Sequence, residues 1–427
     1  YMSSSKIFSS PKFLIPDTLQ NICLNPSKSK NSFLHDDFTN KKILDFHGFF
    51  STLPLGYNHK IFNNSNFKKT VMTYAGLKPS AGRIMTKFLD DFISEFHKFV
   101  NSKIFYKYFF IHGGGLAVEN AIKIAIDWKN FNNKKNKLKI DPRKLEIISF
   151  KNGFHGVTGY TLNLSDNNVK VSGLPIIKWP KFEASIHDYE NNICLNVREN
   201  LSSIEKYINR SDKKNKIAAV IVETIQGGGG DKHMGKDFLN GLAKILKKNK
   251  ILFIDDEVQT GFGVTGKLWS YQKKYYTFTP DLLAFGKKSQ ISGVCINRNL
   301  SNIDKVINRP GRYPPTWNGD IMDYIRCRYI IKAYKDDNLI KNADKLGKYI
   351  VSSLSSFKKF HNVRGKGFLI AFDFENTKKR DKFYRDAFLK GLMVQPMQDK
   401  TIRIRPNMAL KLNEANTALD IIDSIKI

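Results

Sequence analysis

The chain has 427 residues, enough for a large core and more than one domain, and its 41% hydrophobic content is that of a soluble globular protein. It has no run of 18 apolar residues, so no membrane span is expected, and its opening, YMSSSKIFSSPKF, lacks an apolar signal core, so export is not expected. The net charge of +31 raises the question of nucleic acid, but the 70 Lys and Arg are spread through every segment, and a dispersed excess gives weak, salt-sensitive contacts; no nucleic-acid partner is expected.

Residues 1–70 read as loops and short strands. Residues 42–46 (KILDF) have a strand pattern, and residues 48–56 are turn-rich, a surface hairpin or a pocket wall. Residues 83–100 have helical spacing, with Ile84, Phe88, Phe92, Ile93 and Phe96 on one core-facing stripe. An apolar run at 108–111 then enters Gly113-Gly114-Gly115 and a helix periodic at Val118, Ile122, Ala125 and Ile126. Strand, glycine turn and helix make a phosphate cradle, because glycines let backbone N–H groups approach and a helix N-terminus favours a dianion. A glycine-rich turn by itself is more often only a turn.

A basic, Asn-rich loop is expected at 130–139, followed by a strand at 145–150 that leads into KNGFHG, residues 151–156. Residues 218–225 read as an uninterrupted buried strand carrying Glu223 near its end and running into four glycines, Gly227 to Gly230. Residues 236–249 are amphipathic, with Phe238, Leu242, Ile245 and Leu246 facing inward. The run at 251–254 ends in three carboxylates, Asp255, Asp256 and Glu257, and the run at 281–285 is soon followed by Lys287 and Lys288. Strands at 293–297, 367–374 and 401–406 alternate with helices at 321–334, 343–354 and 413–425, an α/β pattern without internal repeats. The cysteines, Cys23, Cys194, Cys295 and Cys327, lack metal-type spacing, so free thiols in a reducing cytoplasm and no metal site are expected.

In an open α/β sheet, ligands sit at the carboxyl ends of the strands. An acidic strand end beside a basic one suits pyridoxal phosphate, with an Asp against the ring nitrogen and a Lys holding the aldehyde as a Schiff base. Charge alone does not decide this, since polar strand ends are common. The wording is more specific. DDEVQTGFGVTGK followed by PDLLAFGKK resembles the class III (ω-amino acid) pyridoxal-phosphate aminotransferases, and FGKKSQ, with Gln290 after the lysines, is closest to the L-lysine 6-aminotransferases. The likeness runs from about Leu14 to the end.

The resemblance implies a fold-type I transferase: a large domain whose mainly parallel seven-stranded sheet is sandwiched by helices, plus a small α+β domain. The divisions would be an N-terminal segment at 1–70 lining the substrate entrance, a cofactor-binding domain at 71–315 and a C-terminal small domain at 316–427. It implies pyridoxal 5'-phosphate as cofactor, with Lys287 carrying the aldehyde and moving the proton, and Asp256 holding the ring nitrogen protonated. Lys288 is the alternative Schiff-base lysine; the family motif points to the first of the pair. Gly114 and Gly115 would contact the phosphate, Phe154 would stack on the ring beside His155, and Glu223 matches the family's glycine loop. Val258 would pack on the ring and Gln259 would reach its phenol oxygen. Thr316, in the PPTWNG loop, would bind the phosphate of the other subunit, which implies a homodimer with shared active sites.

Arg403 matches the family's α-carboxylate arginine. Arg405 would take the same strand's other exposed position or a structural pair, and residues two apart share a face. Two positions depart from the family: Val157 and Gly228 stand where relatives carry Arg and Glu, which suggests an altered switch between the two substrates. The expected reaction is L-lysine plus 2-oxoglutarate to 2-aminoadipate 6-semialdehyde plus L-glutamate, in the cytoplasm. The alternatives are 4-aminobutyrate, ornithine, acetylornithine or ω-amino acid:pyruvate transamination, or a binding protein with a vestigial cofactor site.

Overall fold

The structure is a computed structural model that describes residues 22–79, 84–100, 103–166 and 172–427. The opening segment whose lack of a signal core was noted lies outside the described residues, as does residue 83. Seven strands form the central sheet: β1 (Phe105–Ile111), β2 (Glu146–Phe150), β3 (Lys181–Phe182), β4 (Ile217–Val222), β5 (Leu252–Glu257), β6 (Leu282–Phe285) and β7 (Ser292–Asn297). Their spatial order is β1-β7-β6-β5-β4-β2-β3. Only β7 runs against the rest, pairing antiparallel with both β6 and β1.

Alternate residues of these strands enter opposite apolar layers, as a period of two requires. Ile147, Ala219, Ile221, Leu252 and Ile254 pack with Val118, Ile122 and Ala125 of helix α2 (Gly114–Lys135). Ile148, Val220, Val222 and Phe253 pack with Phe238, Leu242 and Leu246 of helix α3 (Lys236–Lys248). Helix α1 (Lys87–Phe99) lays the fully buried Phe92 and Phe96 against Phe110 and Phe96 also against Phe285. Each such burial is worth about 1.5–3 kcal/mol.

Three local expectations are corrected. The helix expected over 83–100 begins at Lys87 behind the N-cap of Thr86, after a helix at Ser65–Tyr74 that the N-terminal segment was not expected to hold, so Ile84 precedes it and is 67% exposed rather than part of its core stripe. The Asn-rich stretch is helical as far as Lys135, because Trp128, Lys129 and Asn133 are buried and the Asn132 amide donates to the Trp128 carbonyl. The strand expected at 218–225 breaks at Val222, where Glu223 turns the chain, and Ile225–Gln226 pairs with Lys232–His233 instead.

A second, antiparallel sheet contains β8 (His361–Lys366), β9 (Leu369–Asp373), β10 (Gln395–Met397) and β11 (Thr401–Ile404), in the order β8-β9-β11-β10. The N-terminal strand Lys41–Asp45 pairs in parallel with Leu392–Met393, which ties the beginning of the described chain to its end.

Candidate functional site

Parallel pairing brings the last residues of β2, β4, β5 and β6 to one edge of the central sheet. Asp256 lies opposite Ala284 and Glu257 opposite Phe285, so Lys287 follows two residues beyond that register. β1 is parallel to these strands because β7 intervenes, and Ile111 therefore leads to the same edge and into Gly113 and α2. The FHG loop, Glu223, Asp256, Lys287 and the glycine turn are the loops of one crevice, where an open sheet binds ligands.

The three carboxylates of β5 separate by face. Asp256 Oδ2 meets His155 Nδ1 at 2.8 Å, with both side chains buried. Burial pulls the His155 pKa down, but the hydrogen bond and charge of Asp256, with Glu223, outweigh it and the net shift is upward. Asp255 and Glu257 lie in the opposite layer, as alternation demands. Glu257 accepts from the hydroxyls of Thr260 and Ser270, both at 2.8 Å. Burial raises its pKa to about 7, against the pull of those donors. Asp255 is raised well above the usual carboxylate range by burial and by Glu257 and Asp256.

Glu223 fastens two loops together. Its Oε1 accepts the Phe154 N–H at 2.8 Å and its Oε2 the Gly227 N–H at 3.2 Å. Burial, with the charge of Asp256, lifts its pKa to about 7. Phe154, 38% exposed, turns its Cβ toward Gly228, where a side chain would begin 2.6 Å away. Val258 lies against Gly114 and Gly286, and Gln259 fills the space where Gly227 would carry a Cβ. Gly115 touches Gly156. Gly113 has φ +100° and no Cβ, so the first amides of the 22-residue α2 open onto the crevice with the positive end of the helix dipole behind them.

The adjacent lysines have different surroundings. Lys287 has φ +53°, the left-handed region that costs a non-glycine residue about 1–3 kcal/mol. Its ammonium is destabilised first by burial and then by Arg403 and Arg405, which bring the pKa to about 7 against the pull of Glu223 and Asp256. Lys288 is 1% exposed and donates to the carbonyls of Leu53 (2.8 Å) and Pro406 (3.2 Å). Its pKa also falls to about 7 through burial, Asp45 opposing. Its two carbonyl partners, in separate segments, make Lys288 a brace between them, whereas Lys287 follows the end of β6 at the crevice edge.

Arg403 and Arg405 both reach the glycine loop. Arg403 donates through Nε to Gln395 Oε1 and through Nη1 to the Gly227 carbonyl, both at 2.8 Å. Both acceptors are neutral, and burial with the neighbouring charge of Arg405 lowers its pKa to about 10. Arg405 is not exposed: at 0% it pairs with the equally buried Asp231. Gln398 donates to the Gly228 carbonyl at 2.8 Å, and Arg364 to those of Gly230 and Asp231. The segment 227–231 is thus gripped by its backbone from the second sheet.

Val157 is exposed. Thr316 is exposed in a loop that Trp317 pins by donating its indole N–H to the Lys78 carbonyl at 3.1 Å. Sequence reasoning missed Gln395 and His47. The His47 ring is held near pH 4 by burial, with the charges of Arg403 and Arg405 adding to it. Residues 48–56 run under the lysines, Thr52 accepting from Gln290 (2.6 Å) and Leu53 from Lys288. Neither missed residue had a signal: Gln395 meets Arg403 only through the pairing of β10 with β11, and His47 meets the two arginines from a segment distant in the chain.

The class-III aminotransferase family profile matches residues 15–425. The L-lysine-epsilon aminotransferase of Mycobacterium tuberculosis (strain H37Rv) is 31% identical over 408 residues, covering 93% of this chain and 90% of that one. A 4-aminobutyrate aminotransferase of Schizosaccharomyces pombe is 29% identical over 420 residues, covering 91% and 86%. The solved structure of the M. tuberculosis lysine aminotransferase in its internal aldimine form superposes with a TM-score of 0.91 at 29% identity, over 97% of this chain and 96% of that one. A buried carboxylate locked to a histidine, a lysine of depressed pKa and a glycine-opened helix end fit the ring nitrogen, aldehyde and phosphate of one cofactor. With the match spanning nearly every residue, the chain belongs to the class-III aminotransferases, enzymes that work with pyridoxal 5'-phosphate.

Proposed function

We propose that the protein transfers the terminal amino group of L-lysine to 2-oxoglutarate, giving 2-aminoadipate 6-semialdehyde and L-glutamate, as a cytoplasmic homodimer. Nitrogen moves from donor to acceptor and the carbonyl oxygen moves the other way, so the exchange is balanced across two half-reactions. The bound cofactor supplies an aldehyde to carry the amine and a ring to take up a carbanion's electrons. Lys287 holds that aldehyde and then moves the proton at the substrate carbon; with its pKa near 7 the amine is available as a base at neutral pH. Asp256, fixed by His155, keeps a proton on the ring nitrogen. Gly114 and Gly115 would hold the phosphate, joined by Thr316 of the second subunit; Phe154 and Val258 would pack against the ring, and Gln259 would hydrogen-bond its oxygen.

The observation that supports this reading best is the state of Arg403. A buried guanidinium whose hydrogen-bond partners, Gln395 and the Gly227 carbonyl, are neutral is suited to receive a carboxylate from substrate, bidentately. A second reading, transamination of another ω-amine with pyruvate as acceptor, draws on exposed Val157, which offers no cation for a second carboxylate, and on Gly228, which offers no carboxylate to cover Arg403. Initial rates for lysine, ornithine, acetylornithine and 4-aminobutyrate, each with 2-oxoglutarate and with pyruvate, separate them. Lysine with 2-oxoglutarate should be fastest; a faster rate with another donor, or with pyruvate, removes the lysine assignment.

A further inference from the structure

A cleft of about 850 Å³ opens at the far edge of the central sheet, where β5 and β6 begin and β7 ends. The cofactor edge lies a strand's length away, roughly 17 Å for the six residues of β5. Five lysines line it: Lys129, Lys135, Lys244, Lys247 and Lys250. Among the described residues of its lining, the acidic side chain is Asp281, whose Oδ2 is engaged by the Phe253 N–H at 2.8 Å. The dispersed positive charge of the sequence is locally concentrated here.

Helix ends explain part of this cluster. Lys135 and Lys247 sit in the last turns of α2 and α3, where cations offset the dipole. That does not explain Lys129. It is 4% exposed, and it donates to the Lys250 carbonyl at 3.1 Å, not to a carboxylate. Burial and the Lys250 charge push its pKa down to about 8. Lys244 and Lys247 form no ion pair among the described residues. An ammonium buried beneath unpaired lysines is costly unless an anion comes to it.

We propose that this cleft binds a compact polyphosphate anion. Its volume is that of a small-molecule site. Its walls argue against a nucleic-acid strand, because the aromatic side chains are already engaged: Trp128 is 6% exposed with its indole N–H on the Ser301 carbonyl, Phe253 is 4% exposed, and the half-buried Phe278 stacks on Phe253 with ring centroids 4.6 Å apart. The site shares no residue with the cofactor crevice, so it is independent of the proposed reaction.

The test is calorimetric titration of the cofactor-loaded full chain at low salt, with sodium tripolyphosphate, adenosine triphosphate and a single-stranded RNA as probes. Tripolyphosphate should bind at one site per chain, and the Lys244→Glu/Lys247→Glu variant should weaken it at least about tenfold. The control Lys341→Glu/Lys345→Glu makes the same charge change on an exposed helix face elsewhere and should leave binding within about twofold. Tighter binding of adenosine triphosphate than of tripolyphosphate, lost in the same variant, identifies a nucleotide as the natural form. Absence of saturable binding, equal loss in both variants, or RNA binding that tripolyphosphate does not displace overturns the proposal.

Discussion

The proposed division of labour between Lys287 and Lys288 draws on hydrogen bonding, since burial lowers both pKa values to about 7. Lys288 has the Leu53 and Pro406 carbonyls to satisfy it, and Lys287 has a strained backbone at the crevice. Lys287→Ala should abolish the cofactor's visible absorbance bound to protein and all transamination. Lys288→Ala should keep the absorbance while leaving two buried carbonyls unpaired, at about 1–3 kcal/mol each in denaturant melts. Loss of the chromophore in Lys288→Ala alone would reverse the assignment. The sequence showed the lysine pair and the family wording chose between them; what singles out Lys288, a carbonyl 235 positions away, was not readable from the chain.

Among the elements, the parallel strands were legible because β4 and β6 are continuous apolar runs and β5 opens on one, all three buried on both faces. β8 was not, since HNVRGK has no alternation and lies at the edge of the second sheet. The acidic end of β5 was legible as a group, but only the pleat distinguishes Asp256 from its neighbours. The glycine loop at 227–231 was seen as glycine-rich, while its grip by Arg364, Gln398, Arg403 and Arg405 depends on the second sheet's position. Asp231 and Arg405 are both fully buried, so Asp231→Ala strands a guanidinium in the interior. It should cost about 3–5 kcal/mol of unfolding free energy. A loss below about 1 kcal/mol would mean that the loop does not depend on this pair.

Across the whole molecule, the buried ionisable groups give stability an unusual pH dependence in the cofactor-free protein. Glu223 and Glu257 have folded pKa values near 7, above the carboxylate's usual 4.5, so between those limits the folded chain holds more protons and stability falls as pH rises. Lys287 and Lys288 have folded values near 7, below the usual 10.5, so from there upward the unfolded chain holds more protons and stability rises. Urea midpoints taken from about pH 5 to about pH 10 should pass through a minimum near neutrality, and Glu257→Gln should flatten the acidic limb. A midpoint that peaks near pH 7 would contradict this. Among the described residues, no helix is long and apolar enough to cross a membrane.

The clasp on the glycine loop also bears on how this enzyme can change over generations. Apart from the Asp231 carboxylate held by Arg405, the second sheet holds main-chain oxygens at 227, 228, 230 and 231, which any amino acid supplies, so those bonds do not depend on the side chains at 227–230. Phe154, Gln259 and Asn152 now crowd the space that side chains at 228, 227 and 229 would need. Introducing an acidic residue at 228 would therefore require its neighbours to retreat first, so a single substitution there passes through an unfavourable state.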